Sequence, residues 1–436
     1  MNKQTTAQSH QLPLRLPNDC DVPQWNQKTT ENVTHWDEIN KWNDKKSGTD
    51  FVNMFDGERR LISAFVYPEE ISIITTAMHT FRKPAICHYY DCNRNEMHSA
   101  RFKSRVWPLA VITCPRRFGA VYVSVSYEDD EVPQEMIPLT YRIFEKPVHE
   151  LSVCVGPLYG EERKWLQIVE YVEHYRLQGE TYFYFTIFNM DEYDRRIIDY
   201  YESLGYAETT RYTMEYLKLG WMFHILQIHE CHHRSKFHSK WVINMDLDER
   251  LVYTGPSNLT EYLRSIPPNI GEISFSVHRV LKKEKMPDKY TNETGLLSEM
   301  LFLKYNQTTK TTFRNLKGII RPEMVAVLFY HWSYFQLKGV HVMSVPKRIG
   351  YVRHYRDVDN YKLGGNWTAL HNGKLRETRL SQNFEEKLIL AVKKRVKYVY
   401  EQRMIRCEEI KETTRSYFIR EILDCKFKNE TNVEMT

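Results

Sequence analysis

The chain has 436 residues, 42% of them apolar and 27% charged, with 61 Lys plus Arg against 56 Asp plus Glu and a formal net charge of +5. That length and apolar share support one large folded domain or two, and they exclude a disordered or collagen-like chain. The near balance of charge gives no general argument for a nucleic-acid partner.

Six N-x-S/T sequons begin at Asn32, Asn258, Asn292, Asn306, Asn366 and Asn429, and there are eight cysteines. Both features point to the oxidising secretory lumen, although the cysteines are too sparse for a disulfide scaffold and their pairing is not legible. The N-terminal stretch MNKQTTAQSHQLPLRLP has no apolar signal region, and no run of about 18 apolar residues follows. The expectation is therefore a membrane anchor upstream of Met1. The other reading is a cytosolic protein with idle sequons.

Residues 1–50 are polar, lack a sustained period and read as a flexible stem. Residues 51–147 carry short β-type runs (LISAFVYP, VWPLAVITC, GAVYVSVSY) and predict a small β-rich module. From residue 148 the rhythm changes. LSVCVGPL predicts a strand, and the helix after it places Trp165, Ile168, Val169 and Val172 on one face. The strand TYFYFTIFN follows, then a helix around Arg195–Leu204 closed by Gly205, a helix from Leu219 through a His-rich stretch, and the strand KWVINMD. Such alternation predicts an α/β domain over 148–385, with a mostly parallel sheet flanked by helices. Asn258, with Glu261 three residues on, resembles a capping box opening NLTEYLRSI. Strands are expected at EISFSVHRV, MVAVLFYHW and HVMSVPKRIGYV, and residues 386–436 begin as a basic amphipathic helix.

The strongest chemical signal is NMDLDER. An apolar strand ends there in acids, and alternation aims Asp246 and Asp248 to one side, where two carboxylates can hold a hard divalent cation. A competing signal is His229-Glu230-Cys231-His232-His233, which satisfies the zinc-protease pattern H-E-x-x-H through His229, Glu230 and His233. A metzincin continuation would need Gly and His where Lys236 and Ser239 stand. His224, His238 and His331 read as core or surface histidines.

Set in order, VCVGPLYGEERKW, YFYFTIFN, FHSKWVINMDLDE, LKGIIRPEMV and RHYRD, with Tyr90-Asp91-Cys92 and Cys114-Pro115-Arg116 upstream, resemble glycosyltransferase family 92 over about residues 51–410. The resemblance implies a GT-A type nucleotide-diphospho-sugar transferase fold and an inverting hexosyltransferase of the Golgi membrane with its catalytic domain in the lumen. It also implies a UDP-sugar donor, UDP-galactose in known members, Mn²⁺ as cofactor, and an N-glycan or other glycan as acceptor. Matched residue by residue, Asp246 and Asp248 become the metal and diphosphate site, and His354 a late metal ligand or else a histidine satisfied by backbone. Gly156 to Glu162, after the first strand, would meet the nucleotide or simply form a tight strand–helix turn. Lys317 and Arg321 would clamp the diphosphate or form a solvated basic turn. The base that inversion requires is not identified securely: Glu323 is the first choice, with Glu249, Asp288 and Glu299 open. SFSVHRV departs from the family's Trp- and Gly-containing acceptor stretch. The alternatives are a zinc metallohydrolase and a non-catalytic glycan-binding protein on the same fold.

Overall fold

The computed structural model describes residues 20–31, 33, 59–76, 83–107, 109–179, 182–212, 221–310, 312–330, 332–357 and 375–402. Most of the expected stem, the sequons at Asn32, Asn366 and Asn429, and Cys407 and Cys425 lie outside them. Among the described residues no helix is long and apolar enough to cross a membrane.

Seven strands form the first sheet: β1 (Leu61–Val66), β2 (Glu70–Thr75), β3 (Pro84–Tyr90), β4 (Phe102–Arg105), β5 (Val111–Pro115), β6 (Tyr122–Ser126) and β7 (Ile137–Tyr141). Their order is β4-β3-β6-β7-β1-β2-β5, antiparallel except where β1 meets β7. A bridge between Val106 and Ile112 draws the two outermost strands together, so the sheet nearly closes on itself around Ala64, Ile73, Tyr89, Val123 and Val125. Closure leaves few unpaired edge groups for another chain to pair with. Cys87–Cys114 and Cys20–Cys92 fasten this part of the chain.

The second sheet begins with β8 (His149–Leu158), α1 (Trp165–Arg176), β9 (Tyr182–Ile187), α2 (Glu192–Ser203), β10 (Ala207–Arg211), α3 (Trp221–Ser235) and β11 (Ser239–Asn244). These run β10-β9-β8-β11, all parallel, because each helix supplies the crossover that a parallel neighbour requires. Asp191 caps α2 by accepting from the Tyr193 N–H, and Gly205, at φ +70°, follows its end. α1 is buried on nearly every face. Its polar groups are paired accordingly: Glu173 accepts from Arg395 Nε at 2.9 Å, and His174 Nε2 lies 2.6 Å from the Leu251 carbonyl.

Beyond β11 the expectation of a mostly parallel sheet flanked by helices, and with it the GT-A type reading, is overturned. The remaining strands are β12 (Glu249–Tyr253), β13 (Ile270–Lys282), β14 (Gln307–Thr308), β15 (Thr312–Ile320), β18 (His341–Ser344), β19 (Gly350–Asp357) and β20 (Arg376–Glu377), with the separate hairpin β16 (Val325–Leu328) and β17 (Ser333–Gln336). β15 runs antiparallel to both β11 and β13, β12 antiparallel to β19, and only β18 and β19 lie parallel to β13. The eleven-stranded sheet is mixed. Its second half lacks the regular helical crossovers of its first, so the βα rhythm of residues 149–244 does not extend to the rest. The basic helix α7 (Gln382–Val396; α4–α6 being Leu259–Arg264, Glu293–Glu299 and Leu301–Lys304) buries Leu388, Val392 and Val396, one per turn, against the domain.

Asn258 caps α4, its side chain accepting from the Glu261 N–H at 2.8 Å, as the capping-box reading expects. Asn292 does the same for α5 through Gly295.

Candidate active site

A cleft of about 830 Å³ opens where the parallel and mixed halves of the second sheet meet. Each wall comes from a strand end or a strand flank. The end of β8 and the loop after it contribute Gly156 to Lys164, the turn after β11 contributes Asp246 and Asp248, and β13, β15 and β19 contribute Arg279, Lys317 and His354. Gly156 is at φ +138°, and a Cβ there would stand 2.9 Å from the Thr186 carbonyl oxygen, so the close approach of this end of β8 to β9 requires glycine.

The two aspartates occupy a turn rather than an extended strand. The Glu249 N–H donates to the Asp246 carbonyl at 3.0 Å, and the Tyr355 N–H donates to that of Asp248 at 2.8 Å. Their side chains keep 30% and 29% of their surface exposed and face the cleft, whereas Glu249, at 1%, lies beneath them. Lys317 Nζ sits 3.1 Å from both Asp246 Oδ2 and Glu249 Oε2. His224 Nε2 is 3.1 Å from Asp246 Oδ1, and His354 Nε2 is 3.1 Å from Asp248 Oδ2 with its Nδ1 3.4 Å from Glu249 Oε1. The antiparallel register that sets Glu249 opposite His354 delivers this histidine.

Burial alone would raise the Asp246 carboxyl, but Lys317 and then His224 outweigh it and hold the group well below the usual carboxylate range. Burial opposes ionisation of Asp248 in the same way, and His354 reverses it, leaving that group lowered too. Glu249 goes the other way: burial pushes it up and Lys317 only partly compensates. His354 is raised, since burial, which disfavours its charge, is exceeded by the attraction of Asp248 and Glu249. The result is two ionised carboxylates at the cleft surface, backed by a buried cation.

The structure brings Gly156, Asp246, Asp248, Glu249, Lys317 and His354 to one cleft. Arg321 and Glu323 are not on its wall. Arg321 donates to the carbonyls of Ile266, Pro267 and Pro268 and lies over the Trp241 ring, while Glu323 faces Lys236, Arg321 and Lys240. The structure therefore does not bring Arg321 or Glu323 to the cleft with the aspartates. Lys317, expected as a clamp, is 2% exposed and engaged by the acids. Glu249 has the same limitation as a base. Asp288 and Glu299 are also off the cleft wall, and Glu299 pairs with Lys304 at 2.7 Å.

Sequence reasoning missed His224, Arg279 and Arg356, which line the cleft. Their only signal is long-range: β13 and β19 pair in a register that sets Arg279 beside His354. The hydrolase motif does not assemble. Glu230 is gripped by Arg234, whose Nε donates at 3.0 Å, and the segment is buried with no opening onto the cleft.

No curated protein matches the sequence. Similar solved structures include β-glucuronidases from Ruminococcus gnavus and Lactobacillus rhamnosus, each with 13% identity and a TM-score of 0.17, over 42% of this chain and 36% of the other. This chain therefore spans little more than a third of their length, and a likeness so slight carries no argument. Residues 149–388, more than half of the chain and including every residue of the cleft, match glycosyltransferase family 92. The chain belongs to glycosyltransferase family 92.

Proposed function

We propose that the enzyme transfers a hexose, galactose from UDP-galactose in the first instance, to an N-glycan or related glycan with inversion, using Mn²⁺ in the cleft. The observation that carries this reading is the pair Asp246 and Asp248, ionised and side by side on a cleft whose wall also bears Arg279 and Arg356. Oxygen donors with one imidazole nearby suit Mn²⁺, so Asp246 and Asp248 would hold the ion with His354 beside them. When bound, the cation supplies charge neutralisation at the departing diphosphate.

The protein's own residues supply the rest. Lys317 keeps Asp246 charged and in place from beneath it, and His354 does the same for Asp248. Arg279 and Arg356 bring positive charge to the wall where a polyanionic donor would lie, and the loop from Gly156 to Lys164 approaches as backbone. Three disulfides among the described residues support a lumenal location.

The test is a panel of UDP-sugars, with Mn²⁺ or EDTA, against fucosylated and plain N-glycans. Transfer from UDP-galactose that EDTA abolishes is the expected result. Undiminished transfer in EDTA would reject the metal, and transfer from another UDP-sugar alone would reject the galactosyl reading.

A further inference from the structure

A second cluster lies away from the cleft, on the buried face of α3. One ring nitrogen each from His229, His232 and His233 lies within 4.8 Å of the other two, and all three residues are at most 2% exposed. Each ring is already held at its other nitrogen. His229 Nε2 is 2.9 Å from the Leu328 carbonyl and His232 Nε2 is 2.8 Å from the Pro322 carbonyl. A carbonyl can only accept, so both Nε2 atoms carry the proton and both Nδ1 atoms present a lone pair. For His233, the Tyr67 hydroxyl spends its proton on the His233 carbonyl at 2.6 Å, so Nδ1, 3.2 Å from that oxygen, is the donor and Nε2 holds the lone pair. His229 Nδ1, His232 Nδ1 and His233 Nε2 have no hydrogen-bond partner among the described residues.

Three bare lone pairs cannot satisfy one another, for none brings a proton. Protonation is opposed by burial, which pushes His229 to about 4 and His232 to about 3 and holds His233 well below its usual value. A cation is the single ligand that satisfies all three. The outer contacts fit as well, since a metal-bound histidine regularly donates its second N–H to a carbonyl or a polar side chain. The only thiol on this stretch, Cys231, is committed to Cys154.

We infer that His229, His232 and His233 form a buried structural site for a zinc-type transition-metal ion, with the three unpartnered nitrogens as ligands. It is a different site from the H-E-x-x-H one: His232 replaces Glu230, which is bound to Arg234. Zn–N bonds of about 2.0–2.1 Å bring ligand nitrogens to roughly 3.3 Å apart, so the rings close by about an ångström on binding. A water completes a tetrahedron. The rings hold three segments: β16 through Leu328, the turn before it through Pro322, and the β1–β2 turn of the first sheet through Tyr67. The ion therefore fastens α3 to the first sheet and to the β16–β17 hairpin with the turn before it.

The test is metal analysis of the whole folded chain, loaded with Zn²⁺ and passed through a metal-free gel-filtration column. The expected content is about one zinc per chain, with X-ray absorption showing three imidazole nitrogens at about 2.0 Å. The Asp246→Asn/Asp248→Asn variant keeps this zinc, and His232→Gln loses it. Stripping with a strong chelator lowers Tm by several degrees, and Zn²⁺ restores it where Mn²⁺ does not. A folded wild type that emerges with less than about a tenth of an ion per chain overturns the inference. So does zinc that leaves with the aspartates, or an absorption spectrum with oxygen ligands only. Should His232→Gln fail to fold, the wild-type stoichiometry and spectrum decide the matter alone.

Discussion

Replacing Lys317 with Met separates what the buried cation does for the fold from what the aspartates do for chemistry. Methionine reproduces the length of the lysine stem, so the change removes chiefly the charge. Lys317 is 2% exposed and its Nζ serves two carboxylates at 3.1 Å, yet the two are not equally vulnerable. Asp246 keeps His224 and about a third of its surface in solvent, whereas Glu249 is 1% exposed. The cost is therefore mostly that of leaving one buried carboxylate with His354, 3.4 Å away, as its remaining charged partner; breaking such a pair costs about 3–5 kcal/mol, and we expect the lower end, roughly 3 kcal/mol. Urea unfolding at neutral pH in EDTA measures it, free of any contribution from bound metal. In the double variant Lys317→Met/Glu249→Gln the stranded charge is gone, and stability should return to within about 1 kcal/mol of wild type. The Asp246 N–H, which donates to Glu249 Oε2 at 3.1 Å, still finds an amide oxygen there. A loss below about 1 kcal/mol in the single variant, or a loss that Glu249→Gln does not repair, would refute the assignment of Lys317 as a structural counterion.

Asp248→Ala should lower transfer by at least about a thousandfold, as expected for losing a metal ligand, while circular dichroism and the unfolding midpoint stay close to wild type. Gly156→Ala should cost about 1–3 kcal/mol in urea unfolding, because the backbone is at positive φ and the new methyl meets the Thr186 carbonyl; unchanged stability would show that the loop relaxes freely. Burial pushes Glu170 up to about 8, against the pull of Arg250. A folded-state value above the unfolded one means that its contribution to stability is complete below about pH 4.5 and is lost as the pH climbs toward 8. Glu170→Gln removes that slope and should gain on wild type by up to about 3 kcal/mol between pH 5 and pH 7, and parallel urea midpoints across that range would contradict it.

Local pattern made the first half of the second sheet legible. Trp165, Ile168, Val169 and Val172 announced α1, and the apolar run before Asp246 announced β11, because one-face burial imposes its period directly on the sequence. Strand direction has no such signature. Val242 meets Ile320 in an antiparallel pair, and nothing near either residue records it, so the mixed half was misread as parallel. Local reasoning also placed the aspartates correctly at a strand end, although a turn closed by Glu249, rather than alternation along a strand, aims them. Basic residues near an acid site looked like phosphate clamps. Whether a lysine faces solvent or sits under two carboxylates depends on tertiary burial, and for that reason the sequence leaves Lys317 and Arg321 open between a clamp and a solvated turn. The histidines of α3 were weighed only through the H-E-x-x-H pattern, which hid His232 as the member that faces His229 and His233.

The pairing of β12 with β19 has a consequence for how short an active chain can be. Glu249 and His354 are neighbours across two strands but more than a hundred positions apart along the polypeptide. A truncated product ending between Tyr253 and Gly350 would retain both aspartates and the whole parallel half, yet leave Asp248 without its imidazole and β12 without its β19 partner. If the cleft works as proposed, the smallest competent unit reaches at least through Asp357, and loss of β19 would remove the histidine without touching any acidic residue of the cleft.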